Sequence, residues 1–136
     1  MNLTLSASTS QMRARLSTMW IFVMLNMIFA DILSFLSPGF LEEVAAGNAG
    51  GVPLSPVFLL AVAVVTEVAI AMVILARVLS YRLNRWANIG AAVVTAAYVI
   101  VGGSTAPHYL FLATFEVIAC AVIVWIAWRW LPPASA

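Results

Sequence analysis

Long apolar runs separated by short polar breaks dominate the pattern of this chain. No Asp, Glu, Lys or Arg occurs from Trp86 to Phe115, and the stretch from Val44 to Thr66 is equally free of charge. A helix of about 20 apolar residues crosses the hydrocarbon core of a bilayer. The pattern therefore predicts an all-α fold, a four-helix transmembrane bundle with helices at about 16–37, 55–80, 86–103 and 107–131 and an outer loop at 38–54.

Capping and breaking residues set these boundaries. Ser55-Pro56 predicts the start of the second helix, because Ser is a good cap and Pro is favoured at the first helical position. Pro107 starts the fourth helix by the same preference. We interpret residues 82–85 as a short polar turn between the second and third helices. Residues 1–12 are rich in Ser and Thr and show no periodicity, so we expect a cytoplasmic tail.

The first apolar run, Leu16–Leu36, follows two arginines and has the layout of a signal peptide. The run is long, however, and ends in Asp31 and Pro38-Gly39 rather than at a clear small-x-small cleavage site. We therefore expect a retained helix. The outer loop begins with an amphipathic segment that predicts a short helix on the membrane surface, capped by Ser37-Pro38 and ended by residues 47–51. We expect a connector there, with a lid over an outer cavity as the alternative.

Composition supports membrane insertion and excludes several classes. Apolar residues make up 65% of the chain and charged residues 8%, with a mean hydropathy of +1.10; soluble domains are about a quarter charged. Six Arg and no Lys form neither a basic patch nor a tail, which excludes a nucleic-acid-binding protein. Cys120 is the single cysteine, so no Cys-x-x-Cys redox or zinc motif exists. We expect no metal and no cofactor, and we interpret Cys120 as a small packing residue.

The arginines predict the orientation. All six fall on one side of the predicted helices, which the positive-inside rule makes cytoplasmic. Both termini are then inside, in a multi-pass protein of the cytoplasmic (inner) membrane. The tryptophans map to the same interface and predict an aromatic belt: Trp20, Trp86, Trp125, Trp128 and Trp130.

A short motif recurs in the second and fourth helices. Glu67-Val68 and Glu116-Val117 lie 49 positions apart, each within an apolar run. One interpretation is a parallel repeat of two helical hairpins, and the other is chance in a low-complexity alphabet.

Three acids occupy one predicted layer of the membrane. At about 1.5 Å per helical residue, Asp31, Glu67 and Glu116 lie roughly 9, 16 and 13 Å below the outer surface. No Lys or Arg shares that depth. The acids are then either protonated or partly ionised and bound to a cation or cationic ligand. The candidate site adds neutral donors and one residue at its mouth: Tyr98, Tyr109, Asn26 and His108.

Small residues form ridges along the third helix, from Ala87 to Ala96, and predict close helix packing, within the chain or against a second copy. We expect a homo-oligomer or a membrane-protein partner.

Several segments together resemble a family of small bacterial four-helix membrane proteins of unknown function. They are residues 13–20, Asp31 with Pro38-Gly39, Asn84-Arg85-Trp86-Ala87-Asn88-Ile89, Glu116 and Ala127-Trp128-Arg129-Trp130. The resemblance implies the four-helix fold and no activity, and Glu67 departs from the family pattern. In architecture alone the chain is also similar to DoxX-like four-helix proteins.

Three functions fit these observations. The leading hypothesis is a small protein whose acidic outer-half cavity binds or transports protons or a cationic or polar small molecule, because intramembrane acids are expensive without a role. The second is an accessory or assembly subunit of a larger membrane complex that docks through the third helix, with the acids as interhelical hydrogen-bond glue. The third is a lipid-modifying membrane enzyme with Glu116 or His108 as general acid. No nucleophile or metal-ligand pattern is present in the sequence, so we expect a protein that is not an enzyme.

Overall fold

The structure is a computed structural model that describes residues 2–131, with the side chains of residues 9–131. Its elements are α1 (Asn2–Phe35), α2 (Phe40–Ala45), β1 (Asn48–Ala49), β2 (Val52–Pro53), α3 (Pro56–Val78), α4 (Tyr81–Val101) and α5 (Pro107–Arg129). Three helical segments are long and apolar enough to cross a membrane: Thr9–Phe35, Pro56–Val78 and Pro107–Arg129. The all-helical class is confirmed, and these segments indicate a membrane protein.

The four long helices pack in a ring in which α1 contacts α3 and α5, and α4 contacts the same two helices. Neighbours run in opposite directions. The Arg13 guanidinium donates to the carbonyl of Leu79 over 2.9 Å, which joins the first part of α1 to the end of α3. The Tyr81 hydroxyl donates to the carbonyl of Trp130 over 2.6 Å, which joins the start of α4 to the end of α5. All six arginines therefore lie at one end of the bundle, called the arginine end below: Arg13, Arg15, Arg77, Arg82, Arg85 and Arg129.

Two of the predicted helix starts are confirmed. The Ser55 side chain accepts a hydrogen bond from the Phe58 amide over 3.1 Å, and Pro56 follows it at the first helical position of α3. Pro107 likewise takes the first helical position of α5, which follows Ala106 and has no side-chain cap. In both helices the missing proline amide is one that the first turn leaves without an internal partner.

Two other predicted helix starts were wrong. α1 begins at Asn2 rather than near residue 16, so residues 2–12 continue the helix, because extending a packed helix costs less than nucleating one. α4 begins at Tyr81 rather than Trp86, and the extended backbone of Leu79 and Ser80 makes the break. Residues 82–85 are thus helical and not a turn, since their amide and guanidinium groups find partners on neighbouring helices.

The outer loop contains α2 and a two-residue antiparallel hairpin. A short helix forms here as predicted, but its N-cap is Gly39, with φ of 83°, instead of Ser37-Pro38. The hairpin was not predicted. Gly50 and Gly51 turn it with φ of 57° and 76°, a left-handed conformation that favours glycine. The Glu43 carboxylate accepts a hydrogen bond from the Gly51 amide over 3.0 Å, which ties α2 to the hairpin.

The core runs between the four long helices and contradicts part of the predicted aromatic belt. Trp20 is 0% exposed and Trp130 is 5% exposed, so both are core residues. Trp86, Trp125 and Trp128 are each more than half exposed, as an interfacial role requires. Trp20 is buried because its indole N–H finds an acceptor inside the bundle, described below. Small residues of α4 also turn inward, since Ala91 and Ala92 are buried.

Candidate functional site

Glu116 lies on the buried face of α5. It is 3% exposed, and the same helical stripe continues with Ala119, Cys120, Ile123 and Ala127. Because these residues pack into the core at three- and four-residue spacing, the helix directs the carboxyl group inward as well. Within the described residues, no hydrogen bond reaches this carboxyl group. Glu116 therefore has no hydrogen-bond partner among the described residues, but its carboxyl oxygens are not among the fully enclosed atoms that lack a partner.

The level of Glu116 in the bundle follows from two contacts between α4 and α5. The Tyr109 hydroxyl donates to the Val99 carbonyl over 2.9 Å, and Arg85 donates to the Trp128 carbonyl over 3.0 Å. We count residues along the antiparallel helices α4 and α5 from these two contacts. The count places Thr95 of α4 within about one turn of the level of Glu116. Thr95 is 0% exposed, and its hydroxyl oxygen has no hydrogen-bond partner in the described part of the chain. Two unpaired polar side chains thus share one layer.

Asp31 lies on α1, which packs against the helix of Glu116, α5. The two carboxyl groups are close enough to interact electrostatically, and Tyr98 and Tyr109 lie within the electrostatic range of both. Asp31 is itself exposed on the outside of α1. The four residues Asp31, Tyr98, Tyr109 and Glu116 form what we call the acid–tyrosine cluster. It lies in the half of the bundle opposite the arginine end.

Two further candidate residues lie around this cluster. His108 Nε2 is 3.4 Å from the Ser34 hydroxyl, whose own proton is donated to the Ala30 carbonyl. This contact places His108 at the end of the bundle, one residue before Tyr109. Asn26 is partly buried, and its amide nitrogen donates to the Phe22 carbonyl of its own helix over 2.9 Å. The Asn26 amide group is therefore held along α1.

Glu67 does not join the cluster. It is exposed on α3, while Ala69 and Met72 of the same helix are buried. Its carboxyl group thus faces away from the core. Of the three acids of the predicted layer, Glu116 is buried, whereas Asp31 and Glu67 are both exposed.

The described residues offer little for a metal ion. Among residues 9–131, no three His, Cys, Asp or Glu side chains come together as ligands. Cys120 lies one turn after Glu116 and is a free, buried thiol. Its 2% exposure agrees with a packing residue.

A family model described as a family of unknown function, DUF6326, matches residues 6–134. The chain belongs to this family. Membership confirms the resemblance to a family of unknown function and brings no activity with it. A search of curated proteins and a search of solved structures found no match to this DUF6326 chain. None of the comparisons names a DoxX-like relationship.

This DUF6326 protein also contains a second group of polar side chains, apart from the acid–tyrosine cluster, that was not predicted from the sequence. Asn88 accepts a hydrogen bond from the Trp20 indole over 2.8 Å and donates to the side-chain oxygen of Asn84 over 2.6 Å. Asn84 in turn donates to the Ala76 carbonyl over 2.7 Å. All three side chains, Trp20, Asn84 and Asn88, are 0% exposed, and we call them the amide network. They join α1, α3 and α4 in the half of the bundle nearer the arginine end.

One signal in the sequence could have revealed this network. Asn84, Asn88 and Thr95 recur at spacings of four and seven, which place them on one face of a helix. A polar stripe at helical spacing on an otherwise apolar helix indicates a buried face with partners. The interpretation of residues 82–85 as a turn placed Asn84 outside the helix and hid the stripe.

An open groove of about 500 Å³ runs along α4 and α5 beside the cluster. Tyr109 contributes to it, and neither Glu116 nor Asp31 lines it. Further residues of its wall are Val99, Ile100, Gly103, Thr114 and Val117. The groove therefore reaches the tyrosine side of the cluster from the outer surface of the bundle.

Proposed function

We propose that this DUF6326 protein crosses the membrane four times and binds protons or a cationic or polar small molecule at the acid–tyrosine cluster. α4 supplies the fourth span in this proposal. Its 21 residues extend about 32 Å, which suffices for the hydrocarbon core. The polar side chains Asn84, Asn88 and Thr95 are buried, so the outer face of α4 is apolar beyond Arg82 and Arg85 in its first turns.

The arginine end is cytoplasmic in this proposal, because cationic residues are retained on the cytoplasmic side during insertion. Both termini are then cytoplasmic, since α1 begins and α5 ends there. The cluster would lie in the outer half of the bilayer, with His108 at its mouth.

The observation that carries the proposal is Glu116 itself. A carboxyl group inside a membrane bundle is expensive and usually pairs with a base, a hydrogen-bond donor or a bound ligand. Glu116 is 3% exposed, and the described residues provide it with no hydrogen bond. The arginines all lie at the arginine end, away from its layer.

The tyrosines of the cluster fit a positively charged ligand. The Tyr109 hydroxyl donates its proton to the Val99 carbonyl, so its oxygen presents lone pairs as an acceptor. Aromatic rings attract cations through their negatively charged faces. Acids, acceptor hydroxyls and aromatic rings without a nearby arginine therefore favour a proton or an organic cation over an anion.

Two measurements on purified protein test this function. Proteoliposomes that contain a pH-sensitive dye report proton movement after a pH jump, and calorimetric titration of the solubilised protein with tetraphenylphosphonium reports cation binding. We expect at least one response from the wild-type protein, and Glu116→Gln should weaken it by about tenfold or more.

Glu67→Gln is the matched control, because it makes the same change in the same Glu-Val motif on an exposed face. It should stay within about twofold of the wild type. Two results contradict the proposal: a wild-type protein that gives neither response, or a Glu116→Gln variant that responds like the Glu67→Gln variant.

One observation supports a second candidate, an accessory or assembly subunit. α3 is the least buried of the three candidate spans, and it exposes Glu67 along with apolar neighbours such as Val64 and Ile74. Docking would then use α3, because Ala91 and Ala92 of α4 are already buried within the chain. A partner membrane protein that co-purifies with the wild type and is lost with Glu67→Leu would favour this candidate.

A further inference from the structure

A second groove lies between α1 and α5 near the arginine end, with a volume of about 500 Å³. Its lining combines hydrogen-bond donors with apolar side chains: Gln11, Ala14, Arg15, Thr18, Met19 and Ile126. The donors Gln11, Arg15 and Thr18 are exposed and recur at spacings of four and three, so they follow one face of α1. Met19 and Ile126 are partly buried and form the apolar side. The groove is therefore amphipathic along its length.

Arg15 is the cation in this groove, and the other arginines are engaged or lie elsewhere. Arg13 and Arg85 donate to backbone carbonyls of neighbouring helices. The Arg129 guanidinium lies 5.3 Å from the centre of the Trp125 ring. Arg15 is exposed, and its guanidinium has no hydrogen-bond partner in the described part of the chain. Its five N–H donors are available to a ligand.

The groove also lies level with exposed tryptophans of α5. The contact between Ser34 and His108 shows that α1 and α5 run in opposite directions. Counting from it brings Arg15 level with the last turns of α5, where Trp125 and Trp128 expose their rings. Exposed tryptophans mark the headgroup region of a bilayer. A guanidinium at that depth meets phosphate groups, and the apolar side of the groove meets acyl chains.

We propose that this groove binds an anionic phospholipid. The Arg15 guanidinium pairs with the lipid phosphate through two parallel hydrogen bonds, a geometry that its planar fork favours. Gln11 and Thr18 donate to the remaining headgroup oxygens, and the first part of an acyl chain packs on Met19 and Ile126. Basic pockets between membrane helices bind anionic headgroups by this chemistry. The site requires membrane insertion and does not depend on the role of Glu116.

Native mass spectrometry of the detergent-solubilised protein tests the site by titration with phosphatidylglycerol. We expect one lipid to remain bound, and Arg15→Gln should weaken its binding by about fivefold. Arg82→Gln is the matched control, because Arg82 is exposed at the same end and does not line the groove. The Arg82→Gln variant should bind phosphatidylglycerol with an affinity within about twofold of that of the wild type. Arg15→Lys keeps the charge without the planar fork and should give an intermediate loss.

Further titrations distinguish a bound lipid headgroup from bound free phosphate. Phosphatidylcholine should bind more weakly than phosphatidylglycerol, because it has no net negative charge. Inorganic phosphate at millimolar concentration should not displace the lipid, because it cannot contact the apolar side of the groove. Equal losses in Arg15→Gln and Arg82→Gln would overturn the proposal in favour of diffuse attraction. Displacement by inorganic phosphate, or equal binding of both lipids, would overturn it as well.

Discussion

The amide network near the arginine end and Glu116 in the other half differ in how their side chains are paired, although Arg13 Nε and Arg85 Nε at the arginine end also lack partners. Near the arginine end, the amide network of Trp20, Asn84 and Asn88 pairs its groups with one another and with the Ala76 carbonyl. In the other half, Glu116 is 3% exposed and has no hydrogen-bond partner among the described residues. A buried polar group that is fully paired fixes the packing of helices, whereas one that is not paired leaves its hydrogen-bonding capacity for something else. The comparison fits a structural role for the amide network and the binding role that we propose for Glu116.

The two Glu-Val motifs repeat the contrast on a smaller scale. Glu67 and Glu116 begin the same short pattern, yet Glu67 is exposed and Glu116 is 3% exposed. The difference comes from which stripe of each helix packs against its neighbours. A local motif therefore does not decide burial, and the two residues serve as matched positions in experiments.

The largest effect on stability is expected from Asn88→Ala in the amide network. The substitution leaves the Trp20 indole N–H and the Asn84 side-chain oxygen buried without partners. We expect a loss of about 2 kcal/mol in the free energy of unfolding, because an unpaired buried polar group costs about 1–3 kcal/mol. Unfolding in mixed micelles of increasing SDS content measures it.

Asn26→Ala is the control for that prediction, since the Asn26 amide bonds only to its own helix. It should cost less than about 0.5 kcal/mol. If both variants lost the same free energy of unfolding, the amide network would contribute no more to stability than an amide bonded within its own helix.

A smaller effect is expected from Gly103→Ala at the edge of the acid–tyrosine cluster. A Cβ at this position would lie 2.9 Å from Cε1 of Tyr109 and 2.9 Å from the Val99 carbonyl oxygen. Overpacking of this kind should cost about 1–2 kcal/mol of stability. It should also weaken tetraphenylphosphonium binding, because Tyr109 must move.

Gly90→Ala is the matched control within α4, where an added Cβ meets no atom within 4 Å. It should raise the free energy of unfolding by about 0.5–1 kcal/mol, because glycine is unfavourable within a helix. A Gly103→Ala variant that is as stable and binds as tightly as the wild type would place Tyr109 outside the binding site.

The smallest effect is expected from Asp31→Asn. Asp31 interacts electrostatically with Glu116 but is itself exposed, so its influence on a bound cation should be about two- to threefold. Tetraphenylphosphonium titration of the single variants and of the Asp31→Asn, Glu116→Gln double variant measures the coupling. A loss as large as that of Glu116→Gln would make the two acids equal partners and shift the centre of the site toward α1.

The sequence could predict those parts of the fold that follow from local preferences. Ser55 and Pro56 begin α3, and Pro107 begins α5, because capping and the fixed proline torsion act within a few residues. Apolar runs of sufficient length likewise predict membrane helices without knowledge of their neighbours.

What depends on partners from distant parts of the chain could not be predicted in this way. Asn84 looked like a turn residue, and Trp20 looked like an interfacial residue, until α1 and α4 came together. The inward direction of Glu116 and the outward direction of Glu67 also depend on the order of the helices around the ring. The depth of an acid can be counted along a helix, but the side that it faces requires the packing.

Isotope-edited infrared difference spectroscopy tests the central claim most directly, because the carbonyl stretch of a carboxylic acid reports its protonation. Protein in lipid nanodiscs would be compared before and after a pH jump and before and after addition of tetraphenylphosphonium. We predict a carboxyl difference band that disappears in Glu116→Gln and persists in Glu67→Gln. A difference spectrum without that band, or one that Glu116→Gln leaves unchanged, would contradict the assignment of Glu116 as the binding residue.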